Sequence, residues 1–252
     1  MSLRVLIALI LAAFAAGLVD AIAGGGGIIT LPALLACGLD PRVALATNKG
    51  QAVFGSGSSV LAFARSGEVD RSRAWVSFVV AGLASLAGAK LVLLLDPKLL
   101  RPVVLVLLVL ASAAAFVRKP GRKAGWKVAL AHPSIVAGAV AGLIGSYDGF
   151  FGPGTGTFLI LAYAYLFGDP LVRASGNAKV ANFASNLGAF ALFAFAGTIR
   201  WDLALPMGAA QIVGALIGTR LAVKRGGGLV RVAAVVVSLL LAARVAWQLL
   251  AD

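Results

Sequence analysis

Acidic residues are scarce in this chain: 9 Asp and Glu stand against 22 Lys and Arg in 252 residues, a formal net charge of +13. Histidine and cysteine are scarcer still, with one of each. A lone cysteine, Cys37, excludes an internal disulfide, and inside an apolar segment it says nothing about redox compartment. His132 stands beside a basic stretch and reads as an interfacial residue. Neither is placed to join a nucleophile and base, and the chain has no His-Glu-x-x-His or Gly-x-Ser-x-Gly motif. That argues against an enzyme, so no catalytic residue and no metal ligand is expected. There is no nucleotide-binding loop, and after Gly24 and Gly26 the third glycine of a dinucleotide fingerprint falls on Ile29, so no cofactor is expected either. No stretch between the apolar runs is long enough to fold as a basic face, which excludes nucleic acid as the partner of the excess cations. Their expected roles are to set topology and to meet anionic lipid head groups.

What the chain has in abundance is apolar sequence. It is 61% hydrophobic and only 12% charged, with a mean hydropathy of +1.00. Apolar stretches run over 3–23, 28–39, 41–64, 74–95, 99–117, 128–147, 155–167, 171–197, 203–223 and 229–250. Most approach the ~20 residues a helix needs to cross a bilayer. Runs such as "PVVLVLLVLASAAAFV" lack the two-residue alternation of a membrane barrel, so an all-α polytopic membrane protein is expected, with 8–10 crossings. The first segment is read as a retained helix rather than a signal peptide.

Cations cluster in the linker "RKPGRKAGWK" (118–127) and at Arg220, Lys224, Arg225 and Arg231. The positive-inside rule makes both clusters cytoplasmic. With ten crossings both termini lie outside, and the chain divides into a first repeat (1–117), the basic linker (118–127) and a second repeat (128–252). Five segments per repeat is an odd number, so the two repeats would lie in opposite orientations. They also resemble each other. In "DAIAGGGG" (20–27) and "DGFFGPGT" (148–155), Asp20 matches Asp148, Gly24 matches Gly152 and Gly26 matches Gly154, 128 residues apart. In "NKGQAVFGS" and "NAKVANFAS", Asn48 matches Asn177 at a spacing of 129, and one inserted residue brings Lys49 onto Lys179. Inverted repeats of this kind are a signature of secondary transporters.

Each Gly-rich motif precedes a segment too short to span comfortably, 28–39 and 155–167, and whether these two cross or dip into the membrane separates ten crossings from eight. Glycine frees the backbone to turn, and a helix restarting after such a break points its amides at the cavity contents. The pattern points to an anion site with Gly25, Gly26, Gly154 and Thr155 contributing backbone. Close helix packing is the plainer reading of glycines such as Gly138 with Gly142 and Gly214 with Gly218. Lys49 lies roughly 12 Å along its helix at ~1.5 Å per residue. An ammonium at that depth costs at least ~2.5 kcal/mol unless it faces a cavity or a partner. Lys49 and Lys179, with the neutral Asn48, Gln51, Asn177, Asn182 and Asn186, are the candidate substrate-binding residues. Pairing of the lysines with Asp20 and Asp148 as structural ion pairs, or snorkelling, is the competing reading. The two are compatible if an arriving anion releases an aspartate, which makes Asp20 and Asp148 candidates for proton or ion coupling. Lys90 has no counterpart and reads as snorkelling.

With these motifs, "GLVDAIAGGGG", "ATNKGQAVFGS", "GFFGPGTGTF" and "GNAKVANFASNLGAF", nearly the whole chain resembles the sulfite exporter TauE/SafE-like permeases, also called the toluene-sulfonate uptake permease family. The resemblance implies a multi-pass transporter of the bacterial cytoplasmic membrane, built of two pseudo-symmetric halves, that moves small sulfur-containing anions. It also implies that the Gly and Asn/Lys motifs form the site. An anion channel with the same lining is the alternative. Small-residue faces permit a homodimer without requiring one.

Overall fold

The computed structural model describes residues 2–96, 98–100, 102–104, 106–107, 132–226 and 228. The expected linker 118–127, most of segment 99–117 and segment 229–250 lie outside them. The described residues form eight helices of ten residues or more. They are α1 (Leu3–Ala23), α2 (Gly27–Ala36), α3 (Pro41–Arg65), α4 (Arg71–Leu94), α5 (Pro133–Phe150), α6 (Thr155–Leu166), α7 (Leu171–Phe195) and α8 (Trp201–Arg225). This is an all-α polytopic membrane protein.

Local sequence accounts for the boundaries. Asp40 caps α3 by accepting the Arg42 amide at 2.9 Å, with Pro41 in the first turn where its missing N–H costs nothing. Asp70 caps α4 in the same way, through the Ser72 amide at 3.0 Å. Among the described residues α1, α4, α7 and α8 are long and apolar enough to cross a membrane, while α2 and α6 are short apolar helices. Helix α3 has 25 residues, enough length for a crossing, but asparagine, lysine, glutamine and serine occupy its middle. Those polar groups are buried inside the protein, which is where a polar spanning helix must turn them.

The helices pack as two groups of four that exchange partners. Helix α4 packs on α5 and α7, α8 packs on α1 and α3, and α3 meets α7. Exchanging α1–α4 with α5–α8 leaves this set of contacts unchanged. Glycine makes the closest approaches possible: a Cβ on Gly214 would come within 2.1 Å of the Phe14 carbonyl oxygen, and one on Gly88 within 2.1 Å of that of Ser146. Large apolar side chains face outward, including Leu11, Leu83, Leu143 and Phe195, the last 93% exposed, as lipid contact requires. Lys90 is exposed on α4, consistent with snorkelling.

Helices α3 and α7 begin at residues 41 and 171 and end at 65 and 195, so they correspond at a spacing of 130 throughout. This corrects the pairing of Asn48 with Asn177. The residue that occupies the place of Asn177 is Thr47, and both do the same work. The Asp70 amide donates to Asn177 Oδ1 at 2.8 Å, and the Arg200 amide donates to Thr47 Oγ1 at 3.2 Å. Each tethers the start of the fourth helix of the opposite group.

Candidate functional site

Two backbone breaks meet at the centre. The chain between α1 and α2 turns at Gly24, with φ +74° and ψ 163°, a conformation that is nearly glycine's alone. The break between α5 and α6 lies against it: a Cβ on Gly24 would come within 2.2 Å of the Gly156 carbonyl carbon and the Thr157 nitrogen. The Thr157 hydroxyl donates to the Ala23 carbonyl at 3.0 Å, which ties the two breaks together.

Each break places an aspartate in the last turn of the preceding helix, Asp20 on α1 and Asp148 on α5. A carboxylate there faces the negative end of the helix dipole and needs a compensating cation. The cation comes from the opposite group. Lys49 Nζ lies 2.7 Å from Asp148 Oδ1, and Lys179 Nζ lies 2.8 Å from Asp20 Oδ2. Both lysines are the ninth residue of their helix, and they are 2% and 0% exposed. Three of the four residues have a further hydrogen bond. Lys49 donates to Asn186 Oδ1 at 3.0 Å, the Ser185 hydroxyl donates to Asp148 Oδ2, and the Gly26 amide donates to Asp20 Oδ1 at 3.3 Å. Asp20 therefore already occupies the amide-rich start of α2 where an external anion would bind.

Asp20, Lys49, Asp148, Asn48, Asn182 and Asn186 surround a small cavity, and Gly25, Gly26, Gly27, Gly152 and Gly156 supply its backbone wall. With the ion pairs closed, the polar tips leave room for little more than a water molecule. Asn186 links to Ser56 at 3.5 Å across the α3–α7 contact and to Asn182 at 3.4 Å. Asn48 Oδ1 accepts from Thr30 at 2.5 Å and from Gln51 at 3.1 Å.

Several residues expected at the site stand apart from the cavity lining. Lys179 is enclosed behind Asp20. Gln51 stands one step back, holding Asn48. Thr155 closes the turn by donating to the Gly152 carbonyl at 2.7 Å, and Gly154 caps α6 with φ +87°. Asn177 belongs to a separate buried cluster, where its Nδ2 donates to Asp169 at 2.8 Å and Arg73 reaches the same carboxylate at 3.0 Å. At the edge of that cluster, burial works against the Asp70 charge, but bonds from Ser72 and Arg73 hold its carboxyl below the usual carboxylate range. One polar lining residue carries no mark in the sequence: Gln211 of α8, an amide in an otherwise ordinary helix.

The family model of the sulfite exporter TauE/SafE matches residues 9–245. The chain belongs to the TauE/SafE family. The chain is 39% identical over 244 residues to "Probable membrane transporter protein ORF9" of Sinorhizobium sp, an alignment that covers 97% of this chain and 92% of that one. It is 37% identical over 235 residues to a "Probable membrane transporter protein" of Haemophilus influenzae, covering 93% and 92% of the two chains. It is also 37% identical over 239 residues to "Probable membrane transporter protein YfcA" of Escherichia coli K12, covering 94% and 87%. Those names state transport and no substrate. No solved structure matches this TauE/SafE chain.

Proposed function

We propose that the chain is a secondary transporter of a small oxyanion, of the sulfur oxyanion or organosulfonate kind, in the bacterial cytoplasmic membrane. It works by alternating access between two inverted halves. The observation that carries this reading is the pair of crossed Lys–Asp bridges around a polar cavity where two helix breaks meet. Family membership and the names of the relatives support transport, and the family's description supports the sulfur oxyanion.

The mechanism follows from charge. Two lysines and two aspartates leave the cavity with no net charge, and a buried carboxylate holds each ammonium. An entering anion must replace a carboxylate on its lysine, because a buried excess charge is prohibitively costly. Lys49 lines the cavity and is the ammonium that exchanges. Asp148, once released, becomes neutral by taking a proton, so one proton accompanies one anion. Carriage fits the paired charges better than a channel does, since each anion must break an ion pair to enter.

Uptake of labelled sulfite, thiosulfate and sulfate into proteoliposomes tests this, with an imposed pH gradient. Lys49→Ala is expected to abolish uptake, and Lys179→Ala to lower it by leaving Asp20 uncompensated. Asp148→Asn is expected to remove the effect of the gradient on any uptake that remains. Undiminished uptake by both lysine variants would mean that the lysines are structural.

A further inference from the structure

Gln211 is 2% exposed and lines the cavity from α8. Glycines on two other helices shape its seat. A Cβ on Gly17 of α1 would come within 2.4 Å of the Gln211 carbonyl oxygen, and one on Gly55 of α3 within 2.6 Å of its Cγ. Any larger residue at either place would push α8 or this side chain away. The corresponding seat in the other group is formed by Gly145, Ala81 and Ser185, and there a methyl group takes the place of the amide. The Ser185 hydroxyl is committed to Asp148. The amide is thus a one-sided addition to an otherwise matched arrangement.

The Gln211 side chain is also unsatisfied, since Oε1 is buried without a hydrogen-bond partner. A buried amide lacking its partners is disfavoured relative to an apolar side chain of similar size. Its place in the lining of the same cavity as Lys49 gives the amide a use that an apolar residue could not fill. Besides the carboxylates Asp20 and Asp148, each already held by a lysine, the other polar lining side chains are neutral amides, Asn48, Asn182 and Asn186, which hydrogen-bond oxygens without adding charge. One exchangeable ammonium compensates one negative charge.

Building on the oxyanion reading above, we propose that Gln211 is a substrate ligand, and that Lys49 and Gln211 together take a singly charged oxyanion, of the sulfonate or hydrogen-sulfite class, in preference to a dianion such as sulfate. The carboxamide turns its NH2 to a substrate oxygen, a rotation that breaks no hydrogen bond of Oε1, while Lys49 carries the charge contact. A dianion would leave its second charge uncompensated in a buried site that is otherwise neutral.

Calorimetric titration of the purified full chain in detergent with methanesulfonate and with sulfate tests this, alongside the ligand-free melting temperature. The wild type is expected to bind methanesulfonate at least tenfold more tightly than sulfate. Gln211→Leu and the longer Gln211→Met are both expected to lose at least tenfold in methanesulfonate affinity, with a ligand-free Tm equal to or above that of the wild type. A structural role would move Tm the other way. Wild-type affinity in the variants, or a loss of affinity that tracks a fall in Tm, overturns Gln211 as a ligand. Equal affinity for the two anions in the wild type overturns the charge selection. A wild type that binds neither anion removes the oxyanion reading itself.

Discussion

Lys49 and Asp148 meet at 2.7 Å with both side chains 2% exposed, so each is the other's chief protection from a low-dielectric interior. Removing one partner leaves a buried charge, which costs about 3–5 kcal/mol, whereas removing both can be close to neutral. Lys49→Ala should therefore lower the melting temperature in detergent, and Lys49→Ala/Asp148→Ala should recover most of the loss without recovering transport. A double variant as unstable as the single one would place the damage in lost packing rather than in the unpaired carboxylate. The four ionised residues were legible in the sequence because a charge in an apolar stretch demands an explanation. Their crossed partners were not, since which aspartate meets which lysine depends on how the two groups of helices dock. Gln211 went unread for a related reason. A glutamine costs far less than a lysine among apolar residues, and its significance comes from glycines on two other helices.

At the scale of elements, the two helix breaks press on one another. Gly24 and Gly38 both have positive φ, +74° and +81°, but their surroundings differ. A Cβ on Gly24 would strike the backbone of Gly156 and Thr157, while one on Gly38 would meet nothing within 4 Å. Backbone strain alone costs about 1–3 kcal/mol in such regions. Gly38→Ala should show no more than that strain, and Gly24→Ala should be clearly more destabilising because the α6 start must move as well. Comparable melting temperatures for the two variants would show that the breaks yield independently. The Gly-rich motifs and the short helices after them were readable from composition. The register of the neighbouring helices was not: similar letters in "NKGQAVFGS" and "NAKVANFAS" favoured a spacing of 129, whereas the helix bounds and the matched tethers at Thr47 and Asn177 give 130. A short match of residue types weighs each position alike, while the folded chain holds register through hydrogen bonds between distant residues.

At the scale of the whole molecule, the larger helix–helix contacts among the described residues map onto themselves when the two groups of helices are exchanged. Alternating access requires more than that exchange, namely that the groups run in opposite senses through the membrane. The ends of α3 and α7 provide the test, because Ser66 and Ala196 follow them at corresponding positions and both are exposed. The cation distribution in the sequence puts the first of these inside and the second outside. Cys37 is the one cysteine in the chain, so Cys37→Ser gives a background in which a single new thiol can be followed. Introduced separately, Ser66→Cys should react with a membrane-impermeant maleimide only in inside-out vesicles, and Ala196→Cys only in right-side-out cells. Labelling of both from the same side would make the repeats parallel. The crossed ion pairs would then still bind an anion, but exchanging the conformations of the two halves could no longer carry the site from one face of the membrane to the other.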